Sequence, residues 1–345
     1  MIDNATTIIG TFSVYLAVIL LLAWVAYRRT HNLSDFILGG RSLNSWVTAL
    51  AAQASDMSGW LLMGLPGLAY LAGLEAFWMV AGLLVGTYLN WKLVAQRLRE
   101  ATEKFNDALT LPDYFERRFN DDSRLLRLIA GAFVLFFFAL YTSSGFVAGG
   151  KLFEALFGVP YFWAVLLGGG SIVVYTFFGG FLAISWADVM QGSLMFVALL
   201  IVAGMGLYQI GGADGVTNTL NALNAELLDP FTAVSGEALG WIGIASLLGW
   251  GLGYAGQPHI LARFMAIRNS HDMSAARRIA MVWQTTVLFA ALIIGVTGLG
   301  VLERQLAGAD AEKVFIYMSL EFFPPVIAGI CLSAILAAVM STASA

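Results

Sequence analysis

One carboxylate lies deep inside an uncharged run: Asp56, within Ala52-Gln53-Ala54-Ser55-Asp56-Met57-Ser58-Gly59-Trp60. An ionisable group in the middle of a membrane span costs at least about 2.5–3.5 kcal/mol on insertion scales, so a functional role is its default reading. The run continues into Gly64-Leu65-Pro66-Gly67, and Gly249-Trp250-Gly251-Leu252-Gly253-Tyr254 followed by Gly256-Gln257-Pro258 repeats the mixture of helix breakers. Gly costs about 1 kcal/mol and Pro about 3 in a helix interior. The backbone groups they free are tolerated at membrane depth only when buried in protein or lining a cavity. Both segments are therefore expected to unwind at a site. Near the other end, Ser341 and Thr342 are adjacent hydroxyls in an apolar run, with Ser344 just beyond. Such hydroxyls usually bond back to the preceding turn. Facing an unwound segment, they and its free carbonyls would suit a hard cation such as Na⁺. Asp188 sits only a few residues into its apolar run and reads equally as a functional group or a solvated helix-entry charge.

The elements that must position these residues are membrane helices. The chain has 345 residues, 59% hydrophobic and 12% charged, with mean hydropathy +0.79. Soluble domains carry about 45–50% and about 25%. At about 20 apolar residues per crossing, nine spans fall near 8–27, 44–70, 74–91, 128–150, 160–180, 184–210, 240–258, 280–301 and 324–345. An outside N-terminus puts Arg28, Arg29 and Arg41, the eight basic residues of 92–127, and Arg263, Arg268, Arg277 and Arg278 inside. Only Lys151, Arg304 and Lys313 then lie outside. The segment 92–127, with Leu111-Pro112-Asp113-Tyr114, reads as short amphipathic helices at the basic face, and 211–237 as an acidic excursion opposite.

The interrupted spans are the second and seventh, five apart. That spacing fits two inverted repeats of five helices, each opening on a broken helix, behind one accessory span. A single transporter domain follows: accessory span and loop 1–43, first repeat 44–211, and a partial second repeat 238–345. Two independent glycine-rich packing helices are the plainer alternative. Five-plus-five helices behind one extra span make eleven crossings, and the chain stops inside the ninth. It is therefore expected to be an N-terminal fragment that does not transport alone.

Other functions fit poorly. A net charge of −4 speaks against nucleic acid, and the single Cys331, read as a small apolar residue on a buried helix, excludes an internal disulfide. A channel lacks a charged ring or a repeated filter loop. An enzyme lacks a constellation, because His31, His259 and His271 read as solvated loop residues with no paired carboxylate at ligand spacing.

Several long segments carry a resemblance. They are Ile37-Leu38-Gly39-Gly40-Arg41-Ser42-Leu43, Ala54 through Gly67, Ala108-Leu109-Thr110-Leu111-Pro112-Asp113-Tyr114-Phe115, Gly179-Gly180-Phe181-Leu182-Ala183, Gly249 through Arg263 and Leu332 through Thr342. On these the chain resembles the sodium:solute symporter family, in particular its proline carriers. The resemblance implies an all-α polytopic membrane protein of leucine-transporter-like fold in a bacterial-type plasma membrane, performing sodium-coupled uptake of L-proline. Another amino acid, pantothenate, an organic acid or a sugar is the alternative solute. It also implies a sodium ion held by the carbonyls of Ala54, Met57 and Ala338 and the hydroxyls of Ser341 and Thr342. Asp56 and Ser58 would support that ion, Arg41 would serve coupling, and Tyr141, Trp250, Tyr254 and Pro258 would line the proline site. A second sodium at Asp188 and Ser344 stays open, since Ala345 brings no hydroxyl. From spacing alone, Trp250 and Tyr254, four apart on one helical face, could line a pocket or be core or interfacial aromatics.

Overall fold

A computed structural model describes residues 5–158 and 160–345. Among them the only non-helical pairings are two isolated bridges, and six helical stretches are long and apolar enough to cross a membrane. Helices lie along each of the nine expected spans, in order. The first is α1 (Ala5–Tyr27). The short α2 (Leu33–Leu38) leads into the second, α3 (Ser45–Met57) and α4 (Gly64–Ala72). The third is α5 (Phe77–Leu89), a π turn over Asn90–Ala95, and α6 (Gln96–Lys104). After α7 (Leu111–Arg118) come α8 (Leu125–Phe157) and α9 (Tyr161–Ile210), which holds the fifth and sixth spans and breaks at Gly180 (φ 59°, ψ −168°). Beyond α10 (Gly212–Leu223), the seventh span comprises α11 (Trp241–Gly249), a 3₁₀ segment Trp250–Gly256 and α12 (Pro258–Ala266). α13 (Met273–Val301), α14 (Val314–Phe322) and α15 (Pro325–Ser344) complete the chain.

The second span breaks where the sequence expects. α3 starts on an Asn44 cap, whose side chain accepts from the Val47 amide, and stops because Ser58 takes φ 51°, ψ −173°. The Ser58 side chain then accepts from the Trp60 amide and caps a 3₁₀ turn over Gly59–Leu61. In the seventh span, Pro258 opens α12 at a position where its missing N–H costs nothing.

α3, α4 and α5 pack on α13 and α12 packs on α3, while α1, α3, α8, α13 and α15 all pack on α9. Glycines allow the closest approach: a Cβ on Gly82 would lie 2.5 Å from the Leu248 carbonyl oxygen, and one on Gly86 2.2 Å from that of Gly251. This is small-residue packing, the main way for membrane helices to gain contact without a hydrophobic drive. At the basic face the start of the second span is tied to the end of the seventh. The Leu43 amide donates to Ala266 O (3.2 Å) and the Arg268 amide to Leu43 O (2.8 Å).

Candidate functional site

A helix that stops leaves its last four carbonyls without amide partners and carries the negative end of its dipole there. In α3 these are the carbonyls of Ala54, Ser55, Asp56 and Met57, all buried. Three of them are met by hydroxyls from other spans. Ser341 Oγ donates to Ala54 O at 2.9 Å, Thr342 Oγ1 to Ser55 O at 3.0 Å, and Tyr141 Oη to Asp56 O at 3.0 Å. Ser341 Oγ also lies 3.0 Å from Ala338 O. The structure thus gathers Ala54, Ala338, Ser341 and Thr342 into one cluster of neutral oxygens, with Met57 at the end of the same helix turn. Hard cations of Na⁺ type take such carbonyl and hydroxyl oxygens at unwound helix ends.

Asp56 is buried beside this cluster, where the Tyr254 hydroxyl interacts with its carboxylate. Tyr254 is itself held by its backbone, whose carbonyl accepts from Asn90 Nδ2 at 3.1 Å. The π turn that starts at Asn90 brings this amide to the broken span, in keeping with the habit of π turns to mark functional segments. Gln284 links the two broken spans, accepting from Gln53 Nε2 at 2.8 Å and reaching the Tyr254 hydroxyl at 3.5 Å.

Trp250 and Tyr254 do not share a face. In the 3₁₀ segment, with three residues per turn, positions four apart diverge by about 120° and not the about 40° of an α-helix. Tyr254 is accordingly buried, while Trp250 is half exposed and lies against Trp60 with ring centroids 5.0 Å apart. Trp60, Ser58, Gly59, Met63 and Gly64 line a cavity of about 290 Å³ together with Ser144 and Glu312. The cavity thus sits on the break of the second span, one turn from Tyr141. None of Tyr141, Trp250, Tyr254 and Pro258 is among its lining residues.

His259 is a correction to the sequence reading. It is buried, stacked on Tyr141 at 5.8 Å and edge-on to Phe138 at 5.2 Å. The seventh span continues to Ala266, past the limit near 258 set by Pro258, because proline here starts the second half-helix instead of ending the span. Asp188 is not a solvated entry charge either. It is fully buried against Arg263, with Oδ2 2.9 Å from Nη2. Ser344 Oγ donates to Ser341 O at 3.2 Å. Asp188 Oδ1 has no hydrogen-bond partner among the described residues. Arg263 also donates to His259 O at 2.9 Å, so it locks the buried end of α12 to the sixth span.

Arg41 lies at the basic end, in a left-handed conformation (φ 52°). It donates to Met265 O (2.8 Å), Ala108 O (3.1 Å) and Thr102 Oγ1 (3.2 Å), and pairs with Asp107 at 2.8 Å. Burial, then the charge of Arg99, hold its pKa below the ordinary value against the opposing pull of Asp107. It ties the entry of the second span, the third span and the end of the seventh into one unit.

Sequence reading missed Arg263, His259, Trp60 and Glu312. Arg263 had a signal: an arginine five residues beyond Pro258 has to lie inside once the span is extended.

Comparisons with known proteins place the chain in a family. The model of the sodium:solute symporter family matches residues 36–345. The sodium/proline symporter of Escherichia coli (strain K12) is 49% identical over 345 residues, covering 99% of this chain and 68% of that protein. The osmoregulated proline transporter of Bacillus subtilis (strain 168) is 44% identical over 338 residues, covering 98% and 68%. A solved Na⁺-coupled sialic acid symporter, substrate-bound and outward-open, superposes with a TM-score of 0.80 at 19% identity, over 98% of this chain and 71% of that one.

Proposed function

The chain belongs to the sodium:solute symporter family, and on that premise we propose that it serves sodium-coupled uptake of L-proline by alternating access. The observation that carries the reading is the end of α3, where carbonyls left free by the break face the Ser341 and Thr342 hydroxyls. Na⁺ binds there as co-substrate, held by the carbonyls of Ala54, Met57 and Ala338 and by the two hydroxyls. Asp56 supplies charge next to the ion without ligating it. Proline occupies the adjoining cavity, its carboxylate toward the amides that open α4, its ring against Trp60; Trp250 backs the Trp60 ring and Tyr141 holds the Asp56 carbonyl. Tyr254 and Pro258 act by shaping the broken seventh span.

The basic face is cytoplasmic and the N-terminus outside, following the distribution of arginine and lysine. The membrane is the bacterial plasma membrane, in keeping with the bacterial relatives. Residues 44–211 and 238–345 correspond to the two inverted repeats. One charge crossing about 100 mV gains about 2.3 kcal/mol, and a tenfold sodium gradient adds about 1.4. At one ion per solute this sustains accumulation of a few hundred-fold.

The test is binding of radiolabelled proline to the purified protein in sodium, competed by other amino acids, pantothenate and sugars. Proline and its close analogues are expected to compete best. Displacement by another solute class at lower concentration would replace proline as the substrate and leave the sodium site standing.

A further inference from the structure

A large apolar groove lies away from the site, near the basic end. It has a volume of about 470 Å³ and is lined by the second span (Trp46, Leu50), the sixth (Phe196, Val197) and the eighth (Arg278, Val282). Its wall is apolar except at one end. There Arg278, exposed, makes no hydrogen bond, ion pair or ring contact among the described residues. The neighbouring cations are engaged: Arg277 lies over the Tyr88 ring at 5.7 Å, and Arg268 pairs with Asp272 at 3.9 Å.

Along α13 the groove runs from Arg278 to Trp283, about 7.5 Å of helix, and along α3 from Trp46 to Leu50, about 6 Å. Half of a bilayer's hydrocarbon core is about 15 Å, so the groove takes the headgroup-proximal part of an acyl chain. Arg278, five residues into α13, sits toward the polar end of that depth. We propose that this groove is a binding site for one anionic phospholipid of the basic-face leaflet, an acyl chain lying in the groove and the phosphate on Arg278. Charge complementarity selects the occupant: a single unpaired guanidinium at the mouth of an apolar trough favours an acidic lipid over a zwitterionic one.

The groove also reaches the transport machinery. Trp283 Nε1 donates to Gly192 O at 3.1 Å. A Cβ on Gly192 would lie 3.2 Å from that of Ala54 and 3.6 Å from Leu50 O. The floor of the groove therefore abuts the turn of α3 that carries the Ala54 carbonyl, and the groove lies where α3, α9 and α13 meet.

Native mass spectrometry of the purified protein with equal phosphatidylglycerol and phosphatidylcholine tests this. Wild type is expected to retain phosphatidylglycerol about fivefold in preference, the effect of one basic residue at a membrane surface. Arg278→Gln should abolish the preference, Arg278→Lys keep it, and Arg277→Gln leave it unchanged. Val282→Trp, which fills the groove, should lose the retained lipid of either headgroup. Sodium-dependent proline binding by each variant reports that it is folded. Equal retention of both lipids by wild type, or an undiminished preference in Arg278→Gln, overturns the proposal. So does a dimer that Val282→Trp dissociates, which would put a second copy of the chain in the groove.

Discussion

Removing one hydroxyl from the cluster at the end of α3 gives a sharp expectation. Ser341 Oγ touches Ala54 O and Ala338 O at 2.9 and 3.0 Å, and Thr342 Oγ1 touches Ser55 O at 3.0 Å. Without sodium, each hydrogen bond contributes about 1 kcal/mol to stability, a loss the fold tolerates. With the ion present, each oxygen faces a full charge, an interaction of about 1.5–3 kcal/mol. Ser341→Ala and Thr342→Val are therefore each expected to raise the sodium concentration for half-maximal proline binding by about 10- to 150-fold. Ser333 provides the control on the same helix: equally buried, its Oγ bonds back to Gly329 O at 2.7 Å. Ser333→Ala should shift the midpoint by less than about twofold. The assay is equilibrium binding of radiolabelled proline across a sodium series, with choline holding ionic strength constant so that screening does not vary. Midpoints within twofold of wild type for both hydroxyl variants, or a shift in Ser333→Ala as large as theirs, would refute the placement of the ion.

Three further expectations follow from the packing. The Asp188–Arg263 pair is almost fully buried, so Asp188→Leu or Arg263→Met alone should cost about 3–5 kcal/mol, while the double replacement recovers most of it; additive losses in thermal unfolding would contradict the pairing. Gly86→Ala forces a Cβ to within 2.2 Å of Gly251 O and should cost about 1–3 kcal/mol. Gly204→Ala, with nothing within 4 Å, should be neutral or slightly stabilising, and equal effects in a melting assay would reject the close approach. Tyr141→Phe leaves the Asp56 carbonyl without its hydroxyl and should weaken proline binding about fivefold for a loss of about 1 kcal/mol; an unchanged affinity would remove Tyr141 from the site.

Much of this architecture was legible in the sequence because membrane spans are long and their breakers are few. Asp56 stands out by its depth, and Gly64 to Gly67 and Gly249 to Pro258 by glycine and proline where lipid allows little loose backbone. The pairing of Ser341 and Thr342 with α3 could be inferred only as a match between hydroxyls and an unwound helix. What stayed hidden depends on three-dimensional convergence. Tyr141 reaches Asp56 O across 85 positions, and Asp188 meets Arg263 across 75. The stacking of Trp60 on Trp250 depends on a 3₁₀ winding that glycine content permits but does not dictate. His259 looked solvated because Pro258 reads as an end, whereas it begins a half-helix that carries the imidazole into the interior.

The most direct test of coupling at this site is a reciprocal titration on one preparation: proline with and without sodium, and sodium with and without proline. Two ligands bound side by side must change each other's affinity by the same factor. Proline is expected to bind with saturation in sodium and to lose affinity in choline, with a matching factor in the sodium titrations. Proline binding of equal affinity in choline would contradict a sodium site built from the end of α3 and the hydroxyls of Ser341 and Thr342.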